Sequence, residues 1–260
     1  MTADELSGRS APVRETDGVE PNEDGDAVVT PAALKATAMV ATARAGVRSY
    51  MSSWLLRSAR RFASAAEQIE QDHPGVWRSP HVEEHLDHVI SGVMNAATFL
   101  EAMINELFTD ASEGHGLEGD GYLAPLDSRT VELMAAWWNE TDQGFDRTLN
   151  KYQLLLAFAG SDKLDRGTEP YQSAKLLLEL RNAIVHYRPS TVYADEEHAL
   201  ERKLRGKFAP NGLLSSGGPW WPNGALGAGC TRWAIDSALR LADEVSAQVG
   251  IVPNYQRVPT

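Results

Sequence analysis

The sequence predicts an all-α protein, a multi-helix bundle of about six or seven helices. Apolar residues recur at helical spacing in several long segments, as expected of helices that bury one face. Glycine, proline and polar residues separate these segments, and none shows the alternating pattern of a β-strand. The hydrophobic fraction of 43% is sufficient for a sizeable core. We therefore expect one helical domain preceded by a disordered arm.

The net charge of −12 and the single cysteine restrict the functions that this chain can have. An acidic chain argues against broad, nonspecific nucleic-acid binding, although a local basic site is compatible with it. With Cys230 alone, neither an intrachain disulfide nor a cysteine-based zinc cluster can form, which fits a reducing compartment. We find no secretory signal and no apolar run of membrane-spanning length. A cytoplasmic protein without membrane contact is expected.

The N-terminal quarter divides into an acidic arm and a long helix. Residues 1–30 hold eight acidic and two basic residues, and their polar composition predicts disorder. Residues 31–75 predict one long helix, bent near Gly46 and ended by His73-Pro-Gly. Its apolar face is predicted from residues at helical spacing: Met51, Trp54, Leu55, Ser58 and Phe62.

Residues 76–250 predict the main helical domain, and residues 251–260 a C-terminal tail. Ser79 and Pro80 begin its first helix, as N-cap and first helical residue. The apolar stripe of that helix comprises Val89, Val93, Ala96, Leu100, Ile104 and Leu107. Asp127 or Ser128 caps the next helix, Gly144 ends it, and further helices follow over 145–159, 170–188, 195–205 and 231–249.

The segment Leu176–Pro189 forms the last part of the most apolar helix in the chain, and it carries three polar residues. We expect it to be buried on several sides, so Arg181, Asn182 and His186 need partners from protein or ligand. Asn182 and His186 share a face, whereas Arg181 and His186 lie about 140° apart around the helix. Pro189 predicts a helix end at Arg188, with His186 in the last turn. There the helix dipole favours a charged imidazole, which suits acid–base chemistry.

The segment Leu180-Arg-Asn-Ala-Ile-Val-His-Tyr-Arg-Pro189 resembles the signature of the HEPN superfamily (higher eukaryote and prokaryote nucleotide-binding helical domains). That signature is an arginine, often followed by a polar residue, and then a histidine after a gap of four to six residues. Asn95–Phe108 resembles an early helix of such domains. A second Arg–His pair with a permitted gap, Arg78 and His85, is interrupted by Pro80 and is interpreted as a chance match.

The resemblance implies a metal-independent endoribonuclease that needs no cofactor. It implies that His186 assists activation of a ribose 2′-hydroxyl, that Arg181 holds the scissile phosphate and that Asn182 orients one of them. It also implies a homodimer, with RNA as substrate, and an antitoxin or defence-system partner protein. In some members a partner modifies a tyrosine two residues after the histidine; this chain has Arg188 there and Tyr187 one position earlier.

Several further residues are candidates for RNA binding. Tyr187 and Arg188 follow the histidine directly, and the basic run Arg202, Lys203 and Arg205, with Lys207, could bind phosphates. An exposed helix face gives the same pattern and is the more common reason for it. Trp137-Trp138 and Trp220-Trp221 could stack on bases, although such residues more often anchor a core.

The segment His81-Val-Glu-Glu-His85 offers a different chemistry, because it matches the inverted zincin pattern H-x-x-E-H. With His88 it places three imidazoles at helical spacing. The alternative interpretation is an exposed helix start with mobile side chains. Three functions therefore remain open: an endoribonuclease of HEPN type, a noncatalytic binding or sensor module of the same fold, and a zinc protease.

Overall fold

The part of the chain that the structure describes is helical throughout its regular elements. The structure, a computed structural model, describes residues 47–78, 80–141, 147–189, 197–214 and 220–257. In chain order the helices are α1 (Met51–Asp72), α2 (His81–Glu113), α3 (Ser128–Glu140), α4 (Thr148–Phe158), α5 (Tyr171–Val185), α6 (Ala199–Leu204), α7 (Ala228–Gln248) and α8 (Asn254–Arg257). A short turn, Trp220–Gly224, precedes α7, and Trp221 within it has an extended backbone (φ −101°, ψ 134°). These residues include no β-strand, and the prediction of an all-α bundle is confirmed.

Some of the predicted features lie outside the described residues. They are the acidic arm over residues 1–30, the beginning of the long helix with its bend near Gly46, the N-cap at Ser79 and the break at Gly144. No helix that is described is long and apolar enough to cross a membrane.

Helix α2 is the centre of the bundle, and α1, α3, α5 and α7 pack around it. It is 33 residues long, and the residue that follows it, Gly114, caps its C-terminal end with a left-handed backbone (φ 72°) that suits a residue without a Cβ atom. The apolar stripe predicted for this helix is confirmed, because all of its members are buried: Val89, Val93, Ala96, Leu100, Ile104 and Leu107. The inward residues of α7 are buried as well: Ala234, Ile235, Ala238, Leu241 and Val245.

Helix α1 buries a different face from the one that its large apolar residues predict. Met51 and Trp54 are more than half exposed, and the prediction that they face the core is wrong. The buried face consists mainly of small residues: Ser52, Ser53, Leu56, Ala59, Ala63 and Ala66. Small side chains let α1 approach α2 and α7 closely. The gain in packing energy outweighs the free energy lost by leaving Met51 and Trp54 exposed.

Gly92 is the point of closest approach between α2 and its neighbours. A Cβ atom at this position would lie 2.3 Å from the Cγ2 atom of Thr231 on α7, and 3.4 Å from the Cβ atom of Phe62 on α1. Thr231 is itself fully buried. The three helices therefore meet around a residue that has no room for a side chain.

Polar contacts fix the start of α1 against the second half of α2. The backbone N–H of Ser52 donates to Glu106 (2.8 Å), and its hydroxyl donates to the other oxygen of the same carboxylate (2.5 Å). One turn later on α2, the buried Asp110 accepts from the hydroxyls of Tyr50 (2.9 Å) and Tyr122 and pairs with Arg48. Burial raises the pKa of Glu106, and the hydrogen bonds from Ser52 offset this only in part.

The structure tests two further predictions, the N-cap of α3 and the C-terminal tail. Asp127 caps α3, because its carboxylate accepts a hydrogen bond from the backbone N–H of Thr130 (2.8 Å). The segment predicted as a tail contains α8, in which Tyr255 is buried against Phe99 with ring centroids 5.0 Å apart. The Tyr255 hydroxyl donates to Asp243 on α7 (2.6 Å). These contacts tie the end of the described chain to the bundle.

Candidate functional site

Helix α5 carries the Arg181–His186 segment, and only its first part is buried. Tyr171, Ser173, Ala174, Leu177 and Leu180 face the core. After Leu180 the helix emerges from the bundle: Asn182, Val185 and His186 are exposed. Ala183 and Ile184 of the last turn still pack on the core, so the expectation of burial on several sides holds for part of the segment and is wrong for Asn182, Val185 and His186.

The helix also ends earlier than Pro189 alone predicts. Its last residue is Val185, and His186 is the C-cap, whose backbone N–H donates to the carbonyl oxygen of Asn182 (2.9 Å). His186 therefore lies at the helix end rather than in the last turn. The unpaired carbonyl groups and the negative end of the helix dipole still lie beside it.

Arg181 points away from solvent toward α2. Its Nη2 atom donates to the Oε2 atom of Glu101 (3.1 Å), and its Nη1 atom donates to Oδ1 of Asn182 (3.0 Å). The arginine side chain is 28% exposed. Asn182 thus holds the arginine from the neighbouring position, while the carboxylate compensates its charge.

Glu101 is a site residue that the sequence analysis did not single out. A signal for it exists, because it is the one charged residue in the run Ala96–Ile104 of an otherwise apolar helix segment. A charged residue in such a segment is expected to have a partner of opposite charge. Arg181, on the apolar helix α5, is the candidate that the sequence offers.

His186 differs from Arg181 in having open surroundings. Its imidazole is exposed and has no hydrogen bond, ion pair or ring contact with any residue that the structure describes. Tyr187, Arg188 and Pro189 are exposed as well. An imidazole in this setting can reach a ligand in solution without first breaking a contact with any described residue.

Within one chain, Arg181 and His186 face different directions. Their five-residue spacing corresponds to about 140° around an ideal helix. The ion pair to Glu101 holds Arg181 on the α2 side, whereas His186 lies on the open side with Asn182. A ligand that contacts both side chains at once therefore requires a large movement of Arg181 or a second copy of α5.

A groove of about 330 Å³ runs beside α5 on the same open side. Lys175 and Glu179 line it, and their spacing to Asn182 and His186 places all four residues on one helix face. The other wall includes Lys203 and Lys207, from α6 and the segment after it. The groove therefore brings three lysines to the surface that leads toward His186.

The basic run at α6 is largely compensated by carboxylates. Arg202 pairs with Glu197 (2.9 Å), Lys203 with Glu179 (2.7 Å) and Arg205 with Glu201. Lys207 is the member of this run for which the described residues provide no acidic partner. Most of the run consequently has less positive potential for phosphate binding than its sequence indicates.

The tryptophan pairs belong mainly to the core. Trp138 and Trp221 are buried, and Trp137 packs on Phe108 with ring centroids 5.1 Å apart. Trp220 is partly buried between Phe208 and the guanidinium of Arg205. None of these four rings is an exposed platform for bases.

The three histidines of the zincin-like segment do not converge. His85 is fully buried, and its Nε2 atom lies 2.8 Å from Glu70. His81 stacks on His73 with ring centroids 3.7 Å apart, and His88 contacts Phe62. The expectation of mobile, exposed side chains is wrong for His85. In the ranges that the structure describes, no group of three His, Cys, Asp or Glu residues could hold a metal ion.

Comparisons with protein-family models, with curated proteins and with solved structures give no significant match for this chain.

Proposed function

We propose that the chain is a metal-independent endoribonuclease of HEPN type, in which His186 is the acid–base group and Arg181 the phosphate-binding group. One observation carries this proposal: the His186 imidazole is exposed at the end of α5 and has no partner in the described structure. A histidine whose imidazole makes no contact with the described residues suits proton transfer to and from a substrate, and Asn182 already positions the arginine of the same helix.

The proposed reaction is an internal transfer at one phosphodiester of RNA. His186 removes the proton of the 2′-hydroxyl, and the 2′-oxygen forms a bond to phosphorus while the bond to the 5′-oxygen breaks. The 5′-oxygen leaves with a proton from solvent or from the imidazolium. Arg181 compensates the negative charge on the phosphoryl oxygens in the transition state. The products are a 2′,3′-cyclic phosphate and a 5′-hydroxyl end.

The directions of Arg181 and His186 favour a site built from two copies of the chain. In such a homodimer, His186 of one protomer meets Arg181 of the other. The exposed apolar residues Val185 and Tyr187 flank His186, and each is 50% exposed. Apolar side chains at this position are suitable contacts for a second copy of α5.

RNA reaches this site along the groove between α5 and α6 in our proposal. Lys175, Lys203 and Lys207 line the groove together with Glu169 and Glu179, so its lining carries one positive charge in excess on an acidic chain. Tyr187 and Arg188 extend that surface beyond His186. A role in toxin–antitoxin systems or antiviral defence, with an antitoxin or other partner protein, rests on the HEPN resemblance alone.

A noncatalytic binding or sensor module is the second candidate, and the ion pair between Arg181 and Glu101 favours it. A guanidinium that is already paired with a carboxylate has less charge to offer a phosphate. In this alternative Arg181 and Asn182 connect α5 to α2. His186 then takes part in self-association or ligand binding without cleavage.

The test is an RNA-cleavage assay in the presence of EDTA, with His186→Ala beside the wild type. The matched control is His115→Ala, which removes another exposed histidine far from α5 in sequence. We expect His186→Ala to lose at least about a hundredfold in rate, the usual effect of removing an acid–base group, and His115→Ala to retain full activity. Equal rates for all three proteins would refute catalysis by His186.

A further inference from the structure

The start of α1 and the short helix α8 enclose a second cavity, which we call the arginine pocket. Its volume is about 240 Å³, and its lining includes Arg48, Tyr50, Ser53, Trp54, Arg57 and Arg257. None of its lining residues is acidic, although the chain as a whole has a net charge of −12. A concentration of arginines in such a chain requires an explanation.

Two of the three arginines have no carboxylate partner among the described residues. Arg48 is paired with Asp110 and with Glu113 (2.6 Å). Arg257 donates only to backbone carbonyl oxygens, those of Asp120 (2.6 Å) and Val252 (2.9 Å).

The guanidinium of Arg57 lies over the ring of Trp54, 4.9 Å from its centroid. The pocket therefore holds about two positive charges in excess, because Arg57 and Arg257 remain uncompensated.

Ser53 adds a polar group without a partner. Its side chain lines the pocket and is 7% exposed, and its buried hydroxyl has no hydrogen-bond partner in the described structure. A buried hydroxyl that forms no hydrogen bond is costly. The Ser53 hydroxyl is therefore a candidate donor to a ligand in the pocket.

The aromatic residues of the pocket offer a surface for a flat group. Trp54 is 62% exposed, an unusual state for a tryptophan in a folded domain. Tyr50 lies beside it and is held by its hydrogen bond to Asp110. A ligand with an aromatic ring could cover Trp54 while its anionic group reaches Arg57 and Arg257.

The arginine pocket is distinct from the site at Arg181 and His186. Glu101, which holds Arg181, and Asp110, which holds Arg48, are nine residues apart on α2. Nine residues correspond to about 180° around a helix, so the two carboxylates lie on opposite sides of α2. A ligand in the pocket therefore does not occupy the proposed RNA site of the same chain.

We propose that the arginine pocket binds a phosphate monoester attached to an aromatic group. The doubly negative charge of a phosphate monoester matches the two uncompensated arginines, whereas a carboxylate supplies half of that charge. Guanidinium groups bind phosphate oxygens in a forked geometry, and the Ser53 hydroxyl can donate to a third oxygen. Trp54 and Tyr50 contact the ring.

The probes are phenyl phosphate, inorganic phosphate and benzoate, titrated by calorimetry into the full-length protein. In parallel, the indole N–H resonance of Trp54, identified with Trp54→Phe, reports on binding at this location by NMR. We expect saturable binding of phenyl phosphate, weaker binding of inorganic phosphate and the weakest binding of benzoate. The Trp54 resonance should shift at the same concentrations.

Three variants test the assignment of the arginines. Arg57→Ala and Arg257→Ala should each weaken phenyl phosphate binding at least about tenfold, as expected for loss of a charge-assisted contact. The matched control is Arg60→Ala, an exposed arginine one turn further along α1 that does not line the pocket. Circular dichroism checks that each variant is folded. Because Arg257 also holds backbone carbonyls, Arg57→Ala is the decisive variant.

The proposal is overturned by unchanged affinity in Arg57→Ala, by an equal loss in Arg60→Ala or by a Trp54 resonance that does not move. Benzoate binding as tight as that of phenyl phosphate would overturn the phosphate assignment. Equal affinity for inorganic and phenyl phosphate would overturn the proposed contact between the ligand ring and Trp54 and Tyr50. None of these results depends on whether the chain cleaves RNA.

Discussion

Arg181 on α5 and Glu101 on α2 form an ion pair across the helix contact, with 3.1 Å between Nη2 and Oε2. The same arginine is the group that the sequence resemblance assigns to phosphate binding. A phosphate must therefore compete with Glu101 for this guanidinium, or it must bind to donors that the pair leaves open. Glu101 is thus expected to restrain the activity of the site.

Glu101→Gln should increase RNA cleavage by releasing Arg181. An ion pair of this exposure contributes roughly 0.2–1 kcal/mol, so the expected increase in kcat/KM is at most about fivefold. Single-turnover and steady-state cleavage assays measure it, with Glu132→Gln on the exposed surface of α3 as the control. A decrease in activity would show instead that Arg181 needs its carboxylate partner.

Gly92→Ala should destabilise the bundle by roughly 1–3 kcal/mol, the usual cost of overpacking a core. The added Cβ atom meets the Cγ2 methyl group of Thr231 at 2.3 Å. Thr231→Ser removes that methyl group and keeps the hydroxyl, so the double variant should recover part of the lost stability. Urea denaturation measures the free energy of unfolding of the wild type, of each single variant and of the double variant. If Thr231→Ser gives no recovery, this packing of α2 on α7 is incorrect.

The stability of the protein should depend on pH through Glu106. Burial raises the pKa of this carboxyl in the fold above its unfolded value, so the folded state binds the proton more tightly. The contribution of Glu106 to stability is therefore complete below its unfolded pKa, and it is lost as pH rises through the folded pKa.

Glu106→Gln should remove this dependence while an amide oxygen remains available to Ser52. Relative to wild type, the variant should gain stability as pH rises from about 4 to 7, because its side chain carries no proton to lose. Urea denaturation across this range measures the difference. A difference in unfolding free energy that stays constant with pH would contradict the assigned burial of Glu106.

Residues that pack in one regular stripe were predictable, and residues whose environment depends on distant elements were not. The stripe of α2, from Val89 to Leu107, follows from spacing alone and is buried as predicted. The face of α1 was mispredicted because hydrophobicity favours Met51 and Trp54, whereas the buried face consists mainly of small residues, of which Ala59 lies beside Gly92. The spacing of apolar residues within one helix does not indicate how closely a neighbouring helix packs against it.

The polar residues of the candidate site could be singled out from the sequence, but their surroundings in the fold could not. The polar insertions Arg181, Asn182 and His186 were visible in the sequence, and so was their angular separation. The exposure of Asn182 and His186 was not, since an apolar helix such as α5 normally predicts burial, whereas only one side of its last turn packs on the core. One ion pair of the basic run, Lys203 with Glu179, joins residues 24 positions apart, which sequence spacing does not indicate.

Val185→Glu should weaken self-association of the chain, because it places a charge on the apolar surface proposed to face the second copy. Val185 is 50% exposed, so the substitution should cost little stability in one chain. Light scattering coupled to size-exclusion chromatography measures the oligomeric state. The control is Val252→Glu, at a residue that is 49% exposed outside α5. Identical behaviour of the two variants would argue against this surface as the interface.

The most direct test of a composite site combines two inactive variants in one dimer. Arg181→Ala and His186→Ala are coexpressed with different tags, and heterodimers are isolated by two affinity steps. One of the two sites in each heterodimer then has an intact arginine from one chain and an intact histidine from the other, so about half of the wild-type cleavage rate is predicted. A heterodimer as inactive as either parent, or a wild-type protein that remains monomeric while it cleaves RNA, would contradict the account.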